Sequence, residues 1–327
     1  MFQALVLNQE DKRTIASVES IDESQLPEGD VLVAVDYSSI NYKDGLAITG
    51  KGPVVRHFPM VPGIDLSGTV LESEDSRYQA GDKVVLTGWG VGENHWGGMA
   101  QKARLKADWL VKQPQGFDGK QAMMIGTAGF TAMLCVQALL DGGVTPESGE
   151  ILVTGASGGV GSVAVTILAG MGYKVAAVTG RSEVNGPLLK QLGASRIIER
   201  SEFEEKARPL EKQLWAGAVD TVGSKILGKV LAQMDYDSVV AACGLAGGAD
   251  LPTTVMPFIL RNVRLQGVDS VYCPADRRQQ AWDNLAKYLP ASYFDAACNE
   301  ITLEQAPKFA DDIINGQVTG RTVVKVS

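Results

Sequence analysis

The sequence predicts an α/β protein in which a doubly wound parallel sheet is joined to a second, β-rich domain. Three observations predict it. From about residue 150, short apolar strands alternate with helical stretches, the pattern of a parallel sheet covered by helices on both faces. The segment 153–162 places closely spaced glycines between one such strand and its helix. The first 120 residues instead carry strand-like runs divided by Pro, Gly and Asp.

In chain order, MFQALVLNQEDKRT reads as a first strand and a polar turn, without the charged and apolar regions of a signal peptide. Residues 31–40, 63–73 and 81–89 read as strands, and 127–141 has helical spacing of apolar residues. ILVTGA (151–156) is a buried strand and 162–172 its helix; KVAAVTG (174–180) is the next strand, with a helix near 183–192. RIIE, AVDTVG and SVVAACG continue the alternation, and NVRLQGVDSV (262–271) reads as a sheet edge. GRTVVKVS at 320–327 is a strand again.

A chain of 327 residues exceeds what one small core needs, so two domains are expected. With 45% hydrophobic and 21% charged residues it has the balance of a soluble protein. No apolar run approaches the roughly 20 residues that cross a bilayer. A net charge of −8 argues against nonspecific nucleic-acid binding. Cys135, Cys243, Cys273 and Cys298 form no CxxC pair and read as reduced thiols, so a cytoplasmic location is expected.

The strongest motif is VTGASGGVGS, in which Gly155, Gly158 and Gly161 have GxxGxxG spacing. Small residues there let the backbone turn tightly and approach a pyrophosphate, which the amides and dipole of the following helix attract. NAD-specific sites place an acid at the tip of the second strand, on the ribose 2′-hydroxyl. Here that strand ends Thr179-Gly180-Arg181-Ser182, with no acid before Glu183. A guanidinium pairs well with phosphate oxygens, so NADPH is expected, held by Arg181 with Thr179 and Gly180. The plainer alternative is a solvated arginine on a loop.

Beyond these motifs, SSINYKDGLAITGKG (38–52), PGIDLSGTV (62–70), TGWGVGENHWGG (87–98), GTAGFTA (126–132), DTVG (220–223), ACGLAGG (242–248), the run 253–271 and GRTVVKV (320–326) resemble the medium-chain dehydrogenase/reductase superfamily. More narrowly they resemble its zinc-free, quinone oxidoreductase-like branch that includes acrylyl-CoA reductases. The resemblance covers essentially the whole chain. It implies a Rossmann NADPH-binding domain over 126–294 and a GroES-like substrate domain over 1–125 and 295–327, with the active site in the cleft between them. It also implies cofactor contacts at Ser157, Gly158, Gly159 and Val160 in the glycine loop, and at Tyr42, Gly244, Leu245, Ile259, Ser270 beside Asp269, and Asn315. A homodimer pairing sheet edges near 262–271 is expected as well.

The superfamily includes zinc enzymes, so a metal needs its own argument. A catalytic zinc takes about three Cys, His or acidic ligands. Where zinc enzymes carry ligands, this chain has Asn41-Tyr42-Lys43-Asp44, Ile64-Asp65 and Ile125-Gly126, and it lacks a four-cysteine lobe. No metal is expected.

Without a Lewis acid, a conjugated acceptor suits hydride transfer, with hydrogen-bond donors aimed at the developing enolate. The branch resemblance implies reduction of acrylyl-CoA to propanoyl-CoA. Asn41, Tyr42 and Asp65 are the candidate catalytic residues: Tyr42 to donate from its phenol or merely to shape the cofactor pocket, Asn41 to orient water or substrate. Trp89 and Trp96, in a loop with five glycines, are candidates to wall a pocket. Lys51, Arg56 and Arg321 are candidates for the CoA phosphates, against the plainer reading of solvated charge. An NADPH:quinone oxidoreductase and a non-catalytic NADPH-binding sensor are the rival functions.

Overall fold

The computed structural model describes residues 1–296, 298–318 and 320–327. The chain divides into two compact units: 1–127, 271–280 and 297–327 form the first, and 128–270 with 281–296 the second.

The first unit begins with the strands β1 (Phe2–Glu10) and β2 (Arg13–Ile21), paired antiparallel. Their connection is only Asp11 and Lys12, both at positive φ (46° and 64°), as a two-residue hairpin matching strand twist requires. Next come β3 (Val31–Ser39), α1 (Tyr42–Thr49), β4 (Asp65–Ser73), β5 (Lys83–Thr87), β6 (Lys102–Leu105) and β7 (Leu110–Lys112). Helix α2 (Gly119–Asp141) carries the chain out of this unit. Gly126, with φ 50° and ψ −160°, breaks it into two helical stretches, and the second begins at 127 where the apolar spacing places a helix. The most apolar stretch of α2 is long enough to cross a membrane, but it is 89% buried inside the protein.

In the second unit the elements are β8 (Glu150–Val153), α3 (Gly159–Gly170), β9 (Lys174–Thr179), α4 (Ser182–Gln191), β10 (Arg196–Glu199), β11 (Trp215–Asp220), α5 (Ser224–Ala232), β12 (Met234–Ala242), α6 (Met256–Arg261) and β13 (Arg264–Gly267). After α7 (Ala275–Tyr288) and α8 (Ser292–Ala296), the chain returns to the first unit as β14 (Cys298–Thr302), α9 (Ala306–Ile314) and β15 (Arg321–Lys325).

The second unit's sheet is parallel throughout, in the order β10-β9-β8-β11-β12-β13. This is the doubly wound dinucleotide order, which reverses direction between β8 and β11 and leaves a crevice beyond the strands' carboxyl ends. Leu152, Ala176, Val178, Ala218 and Val240 are all buried in one core with Leu227, Val230 and Leu231 of α5. Strands buried on both faces read as continuous apolar runs, which is why the sequence declares them. The first unit's larger sheet has the order β14-β15-β3-β4-β5-β7, with β6 also pairing β3. Its core gathers Leu5, Val33, Leu66, Leu86, Met99, Leu105 and Val324.

Two expectations are corrected. Only 264–267 of the run 262–271 is strand, although it does lie at the sheet's edge. Residues 271–280, expected in the dinucleotide domain, belong to the first unit. The reason is local bonding: the Trp89 amide donates to Val271 O (3.0 Å), and Arg278, 2% exposed, donates from Nη1 to Thr87 O (2.8 Å) and Oγ1 (2.7 Å). The expected boundary at 294/295 falls close to Ala297, which lies outside the described residues.

Candidate functional site

In the second unit, the glycine loop follows β8 and opens α3. Gly155 has φ 57°, and a Cβ there would lie 2.2 Å from Thr221 Oγ1. A Cβ at Gly161 would lie 2.3 Å from Gly155 O and 2.6 Å from Ala156 Cα. Backbone atoms cannot retreat as a flexible side chain can, so only glycine permits this fold of the loop. Beneath it Thr154 Oγ1 donates to the buried Asp220 Oδ1 (2.7 Å), and Thr221 N donates to Thr154 Oγ1 (3.1 Å). Burial holds the Asp220 carboxyl above its ordinary range. Gly158 caps α3 from extended backbone (φ −79°) without a side chain over the helix start. The cradle therefore fits a pyrophosphate.

Ser157 Oγ and Thr179 Oγ1 lie 3.2 Å apart, and Asn185 Nδ2 donates to Thr179 Oγ1 (3.2 Å). Arg181 is exposed at the start of α4, beside Gly180. The sequence reading missed a second arginine here. Arg200 follows β10, and a Cβ on Gly180 would lie 3.0 Å from its Cζ. The signal was available in the topology: β10 pairs with β9 with Glu199 opposite Thr179, so the residue after each strand meets the other. Arg200 Nε is bonded to Glu204 (2.9 Å) at the surface, and Ser182 donates to Glu199. Gly244 is packed so closely that a Cβ would lie 2.2 Å from Thr221 O, whereas Leu245 (67% exposed) and Ile259 (71%) stand on the surface. Ser270 closes a segment of this unit.

In the first unit a buried polar cluster surrounds Gly126. Asp65, fully buried, accepts from Ser39 Oγ (2.6 Å), Asn41 Nδ2 (2.9 Å), Thr127 N (2.9 Å) and Thr127 Oγ1 (2.5 Å). Asp44 accepts from the backbone amides of Asn41 (2.8 Å), Gly63 (3.1 Å) and Ile64 (3.0 Å). Burial raises the Asp44 carboxyl to about 7, and the nearby Asp65 adds to that effect, against those amides. Arg321 donates from Nη1 to Asn41 Oδ1 (2.8 Å), from Nε to Met124 O (2.9 Å) and from Nη2 to Met123 O (3.3 Å).

This geometry corrects several roles. Arg321 is 3% exposed and spent inside the cluster, so it is not a rim group for phosphate. Both ends of the Asn41 amide are occupied, by Arg321 on one side and by Ser39 and Asp65 on the other. Asn41 and Asp65 thus position their neighbours rather than face solvent. Tyr42 does face it: it is the first residue of α1 and 54% exposed. Lys51 is paired with Asp311 (2.9 Å), Arg56 is exposed, and Asn315 is exposed at the end of α9. The ring of His95 bonds to Arg104 O (2.7 Å), and burial holds its imidazole below its ordinary range.

The cluster stands where a zinc enzyme of this architecture would hold metal. Its carboxylates are already saturated by N–H and O–H donors, and a guanidinium lies among them. A divalent cation would have to displace those donors and tolerate that charge. Among the described residues no group of three or more His, Cys, Asp and Glu side chains converges as a metal site. The residues do not fit a zinc site.

A dinucleotide cradle and a separate β-rich unit with a buried polar cluster define an oxidoreductase architecture. The alcohol dehydrogenase GroES-like domain matches residues 27–115, and the zinc-binding dehydrogenase family matches 159–287. The chain belongs to the medium-chain dehydrogenase/reductase superfamily, in its quinone oxidoreductase-like branch. It is 65% identical to the probable acrylyl-CoA reductase AcuI of Escherichia coli (strain K12), over 99% of this chain and 100% of that one. It is 55% identical to the acrylyl-CoA reductase AcuI of Ruegeria pomeroyi, over 100% of both. The crystal structure of the yhdH oxidoreductase from Salmonella enterica in complex with NADP superposes with a TM-score of 0.98 at 66% identity, covering 99% of this chain and 100% of that one.

Proposed function

We propose that this protein is an NADPH-dependent oxidoreductase that reduces the activated C=C of acrylyl-CoA to propanoyl-CoA in the cytoplasm, without zinc. The observation that carries the cofactor is the pairing of a glycine-only phosphate cradle with two arginines, Arg181 and Arg200, at the tip of β9. The acceptor rests on two relatives named acrylyl-CoA reductase that match this chain along its whole length.

Ser157, Gly158, Gly159 and Val160 would hold the pyrophosphate, with Thr179, Gly180, Arg181 and Arg200 around the 2′-phosphate. Gly244, Leu245, Ile259, Ser270, Asn315 and Tyr42 are further proposed contacts of the bound dinucleotide. NADPH supplies the hydride that the acceptor's β-carbon receives. The chain's own task is to stabilise negative charge growing on the thioester oxygen and to deliver a proton to the α-carbon. Tyr42 offers the exposed phenol for this. Asn41, Asp65 and Arg321 hold the start of α1, so the phenol leaves from a fixed backbone. Arg56 is the remaining proposed contact for a CoA phosphate, with Lys51 available once its exposed pair with Asp311 opens. Such surface pairs are worth little.

β13 stands at the end of the parallel sheet, where a strand of a second copy would continue it, so a homodimer is proposed. Light scattering should then give twice the 34.7 kDa chain mass.

The deciding experiment is NADPH oxidation with acrylyl-CoA, crotonyl-CoA and benzoquinone in parallel. Oxidation by acrylyl-CoA is expected. Turnover with benzoquinone alone, or with no acceptor, overturns the reading. In parallel titrations, Arg181→Ala and Arg200→Ala should each weaken NADPH relative to NADH by about tenfold or more, from a lost charge-assisted hydrogen bond.

A further inference from the structure

Trp89 is a bulky residue in the left-handed region, with φ 58°. Gly88, Gly90 and Gly92 around it also have positive φ (82°, 73° and 80°). Glycine takes such angles freely, whereas a tryptophan held there is strained and persists only where surrounding structure imposes it. The imposing contacts are present. Gly88 N donates to Ile64 O (3.1 Å) and Trp89 N to Val271 O (3.0 Å). The buried Arg278 guanidinium lies 5.0 Å from the centre of the Trp89 ring while also gripping Thr87.

The loop's position gives that strain a purpose. Thr87 pairs with Asp65 in the sheet, so the loop leaves β5 beside the buried cluster. At its far end Glu93 binds Lys43 Nζ (2.7 Å), the neighbour of Tyr42. Against Trp89 stands Tyr272, edge-on at 6.3 Å and 78°. Tyr272 is 61% exposed, and a Cβ on Gly90 would lie 3.5 Å from its hydroxyl. It follows Ser270, a proposed cofactor contact, by two residues. A large aromatic ring is thus packed edge-on against Trp89 and still 61% exposed, in the unit that carries Tyr42.

We infer that Tyr272, braced by the strained Trp89 and by Arg278, is the wall that limits the acyl chain of the acceptor to three carbons. The inference rests on the acyl-CoA reading above. Rejecting one extra methyl group at a packed aromatic wall is worth about 10–200-fold, and a rigid wall rejects better than one that yields. Segment 271–280 is therefore a specificity element as well as a connection.

The test separates this inference from the reading it deepens. Calorimetry would measure propanoyl-CoA, butanoyl-CoA and hexanoyl-CoA binding to the wild type, Tyr272→Ala and Tyr272→Phe. NADPH affinity and thermal unfolding would be followed alongside. The wild type should prefer propanoyl-CoA. Tyr272→Ala should lose that preference by about tenfold with NADPH affinity unchanged, and Tyr272→Phe, which keeps the ring, should retain it. In turnover, Tyr272→Ala should gain crotonyl-CoA activity chiefly through a lower KM. An unchanged chain-length preference in Tyr272→Ala overturns the inference, as does failure of every acyl-CoA to bind. If the chain-length pattern holds but no enoyl-CoA oxidises NADPH, the wall stands and the reductase reading falls.

Discussion

Replacing Gly126 by alanine tests the buried cluster at its tightest point. The residue has φ 50° and ψ −160°, close to a region that only glycine occupies readily, and forcing a Cβ into it costs about 1–3 kcal/mol. The new methyl group would start 2.5 Å from Arg321 Nη2 and 2.6 Å from Asp65 Oδ2. Neither neighbour can swing away cheaply, because Asp65 and Arg321 are buried and hydrogen-bonded on several sides. At least one charge-assisted hydrogen bond must lengthen or break, at about 1.5–3 kcal/mol. The sum is roughly 2.5–6 kcal/mol, or about 5–20 °C in Tm for a unit of this size. Gly116→Ala supplies the control: its φ is +95°, but nothing lies within 4 Å of the added Cβ, so it carries backbone strain alone. Thermal unfolding by circular dichroism would compare the two. A Gly126→Ala protein no less stable than Gly116→Ala would refute the claim that these side chains are fixed around the glycine.

Two further predictions concern the cradle and the cluster's charge. Gly161→Ala sets a methyl group against the Gly155 carbonyl at 2.3 Å, so NADPH affinity in a fluorescence titration should fall at least about tenfold; an unchanged Kd would mean the loop yields. The Asp44 carboxyl is raised by burial to about 7 from the usual 3.8. Between those pH values the folded state holds a proton that the unfolded state has released, so this group's contribution to stability declines as pH rises. Denaturant unfolding at pH 4 to 7 should show a loss of stability in the wild type that is reduced in Asp44→Asn, and equal slopes would contradict it.

The glycine cradle was legible because its chemistry is local: strand, turn and helix lie within ten consecutive residues. The parallel strands were legible because burial on both faces writes them as apolar runs. Arg200 was hidden because its proximity to Gly180 arises from strand pairing. Arg321 read as a surface cation, since nothing near it in sequence announces the carbonyls of Met123 and Met124 that bury it. Asn41 and Asp65 were found by their place in a motif, but their role turned on partners such as Thr127, supplied by another element. The same holds for 271–280, whose allegiance is decided by Thr87 and Trp89.

The placement of β15 between β14 and β3 has a consequence for biogenesis. Val323 and Val324 pair with Ser39 and Ser38 across nearly the whole length of the chain. While the polypeptide emerges from a ribosome, the inner edge of β3 stays bare until residues 321–325 are released, long after the segments of the dinucleotide sheet have appeared. Bare edges invite pairing with other chains, and distant partners are slow to find. The half of the molecule translated first is therefore the half completed last, and in the interval its bare edge is open to wrong partners.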